Sequence, residues 1–178
     1  PSRAAVGWHA LLHAREELRA YRGYAPRSAL LEGQGLAVFR RDNDAYVALD
    51  YAQSGGGHGH PDRLNLLLCD GATRWLDDLG TGSYLDASLH WYRSTLAHNA
   101  PLVNGRSQPF ADGTLRAYDE REGMGWVAAD FSFEGVQLTR TVVVAPDYLV
   151  DELRWSAAEP VRVDLPWHLG AQPADVEL

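Results

Sequence analysis

Residues 64–78 read Leu64-Asn-Leu-Leu-Leu-Cys-Asp-Gly-Ala-Thr-Arg-Trp-Leu-Asp-Asp78, two short apolar runs separated by Asp70-Gly71. An Asp-Gly pair between apolar runs is the strongest short-range signal for a β-hairpin, because glycine tolerates the left-handed backbone that a tight turn needs. Strand-sized runs flank this hairpin on both sides. They cover Leu36–Arg40 and Ala45–Tyr51 before it, then Leu115–Asp119, Gly125–Phe131, Val136–Ala145, Tyr148–Trp155 and Val161–Trp167 after it. The hairpin itself predicts strands at Leu64–Cys69 and Thr73–Asp78.

Many strands at short spacing without intervening helices predict an antiparallel β-sandwich rather than a βαβ sheet. Only the first segment departs from this. Gly7 to Tyr21 carries Trp8, Leu11, Leu12, Arg15 and Leu18 near helical spacing, so one amphipathic helix is expected there. Gly23 and Pro26 then punctuate the chain, and strand periodicity begins at Gly35. The reading is therefore all-β, with residues 1–34 as helix and linker and 35–178 as the sandwich. Both ends look cut: the helix has no partner helices, and Pro173 to Leu178 stop where another strand could begin.

Composition narrows the function. The 178 residues hold 24 acids against 16 cations, a formal charge of −8, and every cation is arginine. A duplex nucleic-acid binder would carry a basic footprint, which is missing, whereas a local arginine cluster could still hold an anion. No apolar run approaches the roughly 20 residues that cross a bilayer. The single cysteine, Cys69, forbids an intrachain disulfide and reads as a buried structural thiol.

The densest chemistry lies at Ser54-Gly-Gly-Gly-His-Gly-His-Pro-Asp62. His58 and His60 point to one side if the chain is extended, which makes half a metal site. Further ligands are expected from Asp77 or Asp78 and from His98. Two nitrogens and a carboxylate oxygen suit zinc. A cupin shares the His-x-His habit, but the glutamate expected shortly after the pair is replaced by Pro61, Asp62, Arg63, Leu64 and Asn65.

His58-Gly-His-Pro-Asp62, Asp70-Gly71, Asp78-Leu-Gly-Thr-Gly-Ser-Tyr84, Tyr92-Arg-Ser-Thr-Leu-Ala-His-Asn99 and Val103-Asn-Gly-Arg106, in that order, resemble the heparinase II/III-like polysaccharide lyases. The resemblance runs from about Gly35 to the end. It implies an enzyme that cleaves a uronate-containing acidic polysaccharide by β-elimination, with the cleft between a helical toroid and the sandwich. The residues 1–34 would then be the tail of the toroid, which otherwise lies outside this sequence, so the isolated chain is expected to be inactive. The resemblance further implies one structural zinc on His60, Asp78 and His98, with Asp77 as the alternative carboxylate. His58 is implied as the cleft residue that assists catalysis.

Tyr84 and Tyr92 flank the site in these motifs, and Arg93 and Arg106 are the expected partners of substrate carboxylate or sulfate. Trp75, Trp91, Trp126, Trp155 and Trp167 are expected mostly in the core, and His168 is expected to be structural. A periplasmic or secreted location is favoured over the cytoplasm. The competing class is a non-catalytic carbohydrate-binding or scaffold module in which the metal only stabilises the fold.

Overall fold

The computed structural model describes residues 25–42, 44–52 and 58–170. The amphipathic helix expected over Gly7 to Tyr21 lies outside them. Two antiparallel sheets make up the body. The first runs in the order β1 (Ala29–Leu31), β2 (Leu36–Arg40), β3 (Tyr46–Asp50), β4 (Asn65–Asp70), β5 (Thr73–Leu76). The second is ordered β10 (Leu149–Ala157), β9 (Val136–Val144), β8 (Met124–Phe133), β7 (Thr114–Arg121). A two-stranded ribbon pairs β6 (Leu102–Val103) with β11 (Val163–Asp164), and one short helix, α1, spans Leu89–Tyr92.

Alternation explains the second sheet. Val127, Ala129, Phe131 and Phe133 of β8 face inward, as do Val136, Leu138, Val142 and Val144 of β9. They meet Ala37, Phe39, Val47, Leu49 and Leu66 from the first sheet in a single core. Gly125 is required where the sheets approach, because a Cβ there would collide with the Phe39 ring. Phe39 in turn stacks on Tyr118 at 5.0 Å. The signal at Asp70-Gly71 becomes the β4–β5 hairpin, with Asp70 opposite Thr73 and Gly71 at a φ of 53°. Cys69 is buried and its thiol lies 3.4 Å from the Gly71 carbonyl, consistent with an inert structural role.

Two expectations need correction. The five tryptophans are not core residues: Trp75, Trp91, Trp126, Trp155 and Trp167 are all 39–59% exposed. The core between the sheets is filled by Val, Leu, Phe and Ala instead, and the indoles sit at edges and on outer faces. The last expected strand, Val161–Trp167, shrinks to Val163–Asp164, because Pro160 and Pro166 lack the N–H that a longer ladder needs.

The inward position on β9 between Leu138 and Val142 is Arg140, which is fully buried. Its Nε and Nη2 donate to the two oxygens of Asp151 on β10 at 2.8 and 2.6 Å, and its Nη1 donates to the carbonyls of Leu64 and Asn99. A buried guanidinium is tolerated only with such full pairing, and removing one partner of a buried pair costs about 3–5 kcal/mol. Asp151→Ala is therefore expected to lower stability by about that amount in a denaturant titration. A loss under about 1 kcal/mol would mean that the pair is not what holds β9 and β10 to the 64–99 region.

Candidate metal centre and cleft

The chain from Ala97 to Val103 is buried and lies outside the sheets until β6, so its polar backbone must find partners in side chains. Asn99 supplies several. Its amide nitrogen donates to the carbonyls of Leu66 and Asp77, its side-chain oxygen accepts from the His168 amide, and its own N–H donates to the Asn65 side chain. Gln108 does the same one layer away, bridging Arg63, Pro101 and Thr95. Thr95 completes the link by donating to the Pro61 carbonyl. These bonds fix the 60–65 and 95–99 segments against each other.

His98 sits at the centre of this arrangement and is fully buried. Its Nδ1 is 2.8 Å from Asp78 Oδ2 and 3.8 Å from Asp62 Oδ2, while its Nε2 is 3.1 Å from His60 Nδ1 and 3.1 Å from the Tyr92 carbonyl. Asp78 is also held by the Asn65 amide at 2.6 Å and by the Gly80 N–H at 2.7 Å. Burial alone would push the Asp78 carboxyl up, but the hydrogen bond and charge of His98 dominate and leave it below the usual carboxylate range. Burial likewise works against a charged His98, yet the bond to Asp78 and the charges of Asp78 and Asp62 raise its pKa overall. His60 shifts the other way, because burial and the nearby His98 both disfavour its cation.

The donor set suits a borderline cation. His60, Asp62 and His98 each offer a ligand atom within 4.8 Å of the others. Two nitrogens on a tetrahedral zinc lie about 3.3 Å apart, given bonds of about 2.0–2.1 Å, and the observed 3.1 Å is close to that. Of the three ligands expected from sequence, His60 and His98 are brought together directly. Asp78 takes the far nitrogen of His98, the position of a carboxylate that orients a metal-bound imidazole. Asp77 is turned away, toward Arg74 on the surface. Asp62, absent from the expected set, joins the two histidines. Its signal was its place two residues after His60 in the same motif, whereas the ligand search looked to distant strands.

His58 is exposed beside this cluster and its Nδ1 lies 2.6 Å from the Tyr84 hydroxyl. Tyr84 is itself 55% exposed. A cleft of about 470 Å³ is lined by Gly33, Gln34, Asp50, His58, His60 and Arg63 among others. Tyr92 packs its ring over Gly82, where any Cβ would clash, so this glycine is what allows the 79–84 loop to lie flat on α1. Arg93 covers the Phe110 ring, with its guanidinium carbon 5.8 Å from the centroid. Arg106 is exposed and pairs at 3.3 Å with Glu134 in the β8–β9 turn. His168 donates and accepts within the fold, its ring nitrogen meeting the Leu96 carbonyl at 2.9 Å.

Residues 25–177 match the family model described as heparinase II/III-like, C-terminal. An exo-oligoalginate lyase of Saccharophagus degradans is 27% identical over 158 residues, covering 74% of this chain and 21% of that protein. An alginate lyase of Stenotrophomonas maltophilia is 29% identical over 165 residues, covering 75% and 22%. Among solved structures, a heparinase III superposes with a TM-score of 0.76 at 16% identity, covering 87% of this chain and 26% of that one. A mutant heparan sulfate lyase HepC of Pedobacter heparinus gives 0.74 at 19% identity, covering 83% and 25%. The chain thus spans about a fifth to a quarter of the proteins it matches, and the structural likeness establishes the sandwich fold.

Asp50 carries a pH signature of the cleft. Burial pushes its carboxyl up to about 7; Arg63, 3.0 Å away, pulls it down, while Asp62 and Asp78 add to the rise. The folded protein therefore keeps a proton between about pH 4 and 7 that the unfolded chain has released, so this group's contribution to stability falls as pH rises through that window. Asp50→Asn is expected to flatten that fall in a plot of melting temperature against pH. An unchanged profile would assign the titration to another group.

Proposed function

Because the chain belongs to the heparinase II/III-like family, whose C-terminal domain it carries, we propose that it forms the sandwich wall of the active cleft of a polysaccharide lyase. The substrate is a uronate polymer cleaved by β-elimination, and the remaining catalytic groups belong to a helical toroid domain of the intact protein. The observation that carries this reading is the exposed His58–Tyr84 pair, joined at 2.6 Å beside the half-buried His60 and fully buried His98. The alginate and heparan sulfate lyases among its relatives support the uronate class.

Elimination removes the proton next to the uronate carboxylate, forms a carbon–carbon double bond, and breaks the bond to the glycosidic oxygen, which leaves with a proton. The proton is weakly acidic, so the carboxylate must be neutralised as charge develops. In this chain the Tyr84 hydroxyl is suited to proton transfer at the sugar, and His58 Nδ1 can hold or relay that proton. His60 and His98, with Asp62 or Asp78, are the residues that would hold a zinc ion. When bound, the metal would supply a crosslink that steadies the His58 loop rather than a Lewis acid for the substrate.

The test is turnover of the intact protein on alginate and heparan sulfate, followed by the ultraviolet absorbance of the unsaturated product. Tyr84→Phe and His58→Ala are each expected to lower kcat by about 100-fold or more with metal content unchanged. His60→Ala is expected to reduce zinc from about one per chain, measured by elemental analysis, and to lower the melting temperature. Full turnover in both cleft variants would remove this pair from the catalytic groups, and no turnover by the unsubstituted protein on either polymer would favour the binding or scaffold module.

A further inference from the structure

Nine of the twelve described arginines lie within 4 Å of a carboxylate: Arg41, Arg63, Arg74, Arg106, Arg116, Arg121, Arg140, Arg154 and Arg162. In a chain where acids outnumber cations this is the expected fate of a guanidinium. Arg93 is an exception in an informative location. It directly follows Tyr92, whose carbonyl meets His98 Nε2 at 3.1 Å, so the backbone at this point lies against the histidine cluster. The side chain is half-buried over the Phe110 ring, and Phe110 remains 56% exposed. Among the described residues no carboxylate pairs with it.

We propose that Arg93 and Phe110 form a subsite for the carboxylate of a uronate unit, next to the histidine cluster. This rests on the lyase reading above and names the group that would bind the acidic sugar on the sandwich side. A guanidinium fork matches a carboxylate in a planar, two-bond geometry, and an aromatic shelf beneath it limits the orientations that fork can take. Arg63 does not compete for the role, because its guanidinium is buried and already bound by Asp50 and Asp62. Arg106 does not compete either, being held by Glu134. Arg93 is thus the ligand-contacting residue, and Phe110 is a positioning residue that acts through it.

The experiment uses the intact protein with its metal, carrying Tyr84→Phe throughout so that bound chains are not cleaved, and two probes, saturated tetramers of mannuronate and of unsulfated heparosan, each compared with its carboxyl-reduced neutral counterpart by calorimetric titration. Arg93→Gln is expected to weaken the acidic tetramer by about ten- to a hundredfold, the size of a lost charge-assisted hydrogen bond, and to leave the neutral one nearly unchanged. Arg93→Lys should recover part of the loss, since it restores the charge without the fork. Phe110→Ala should weaken the acidic tetramer less, and adding it to Arg93→Gln should cost nothing further, because the shelf has lost what it holds. Equal losses for acidic and neutral tetramers, or no loss in Arg93→Gln, would overturn the subsite while the lyase reading stands. Additive losses from the two substitutions would overturn the shelf. A protein with Arg93 and Phe110 intact that binds neither acidic tetramer would overturn both readings together.

Discussion

A stretch of buried chain, Ala97 to Val103, runs through the interior and is irregular until β6, and the rest of the structure is arranged to satisfy it. Buried backbone N–H and C=O groups without partners cost about as much as lost hydrogen bonds, so a non-sheet segment can be buried only if side chains replace the ladder. Asn65, Asn99, Gln108, Thr95 and Arg140 do this, each bonding backbone groups from a distant part of the sequence. The same region holds Leu64 at a φ of 65°, a conformation that costs a bulky residue of order 1–3 kcal/mol. It persists because the Leu64 side chain is in the core and its carbonyl accepts from Arg140.

The histidine cluster is a by-product of that scaffolding. His98 is one residue from Asn99, so the bonds that fix Asn99 to β4 and to the Asp77 carbonyl also set where the imidazole points. Asp78 follows Asp77, and Asn65 binds both Asp78 and the Asn99 backbone, which closes a ring of contacts around the ring nitrogens. Rigid support of this kind is what a metal site or a proton-handling pair requires, because small displacements weaken both. His58 and Tyr84 differ in being exposed, held mainly by each other at the cleft mouth. The half-buried His60 and the exposed His58 thus share one loop, separated by Gly59 alone.

Much of this was legible in the sequence. Alternation identified β2 to its ends and the cores of β3, β4 and β7 to β10, because a half-buried strand must repeat every two residues. It missed β1 and β6, which are three and two residues long and carry no period. The tryptophans were misjudged because large apolar residues are on average buried, while this core is already full of smaller branched and phenyl side chains. His58, His60 and His98 were identifiable by motif. Asp62 stood in the same motif two residues after His60, but only the folded geometry, with Oδ1 bound by Arg63 and Oδ2 facing His98, brings it to the cluster. The Phe110 shelf had no sequence signal, lying 17 residues after Arg93 with no period linking them.

An acidic domain proposed to meet a polyanion needs a local source of attraction. With a formal charge of −8 the chain as a whole repels such a ligand, and most described arginines are neutralised by their own acids. Exposed pairs of this type add little to stability, since solvent and salt screen them and side-chain entropy is lost. Their larger effect is to leave the field near the cleft to the few charges not cancelled nearby. Near the histidine cluster Arg93 on its phenyl shelf is one such charge, whereas Asp50 is paired with Arg63 and burial pushes its carboxyl up to about 7. For the uronate ligand proposed above, an open Arg93 and a muted Asp50 would offset the overall charge, because the potential in a cleft follows near charges rather than the net sum.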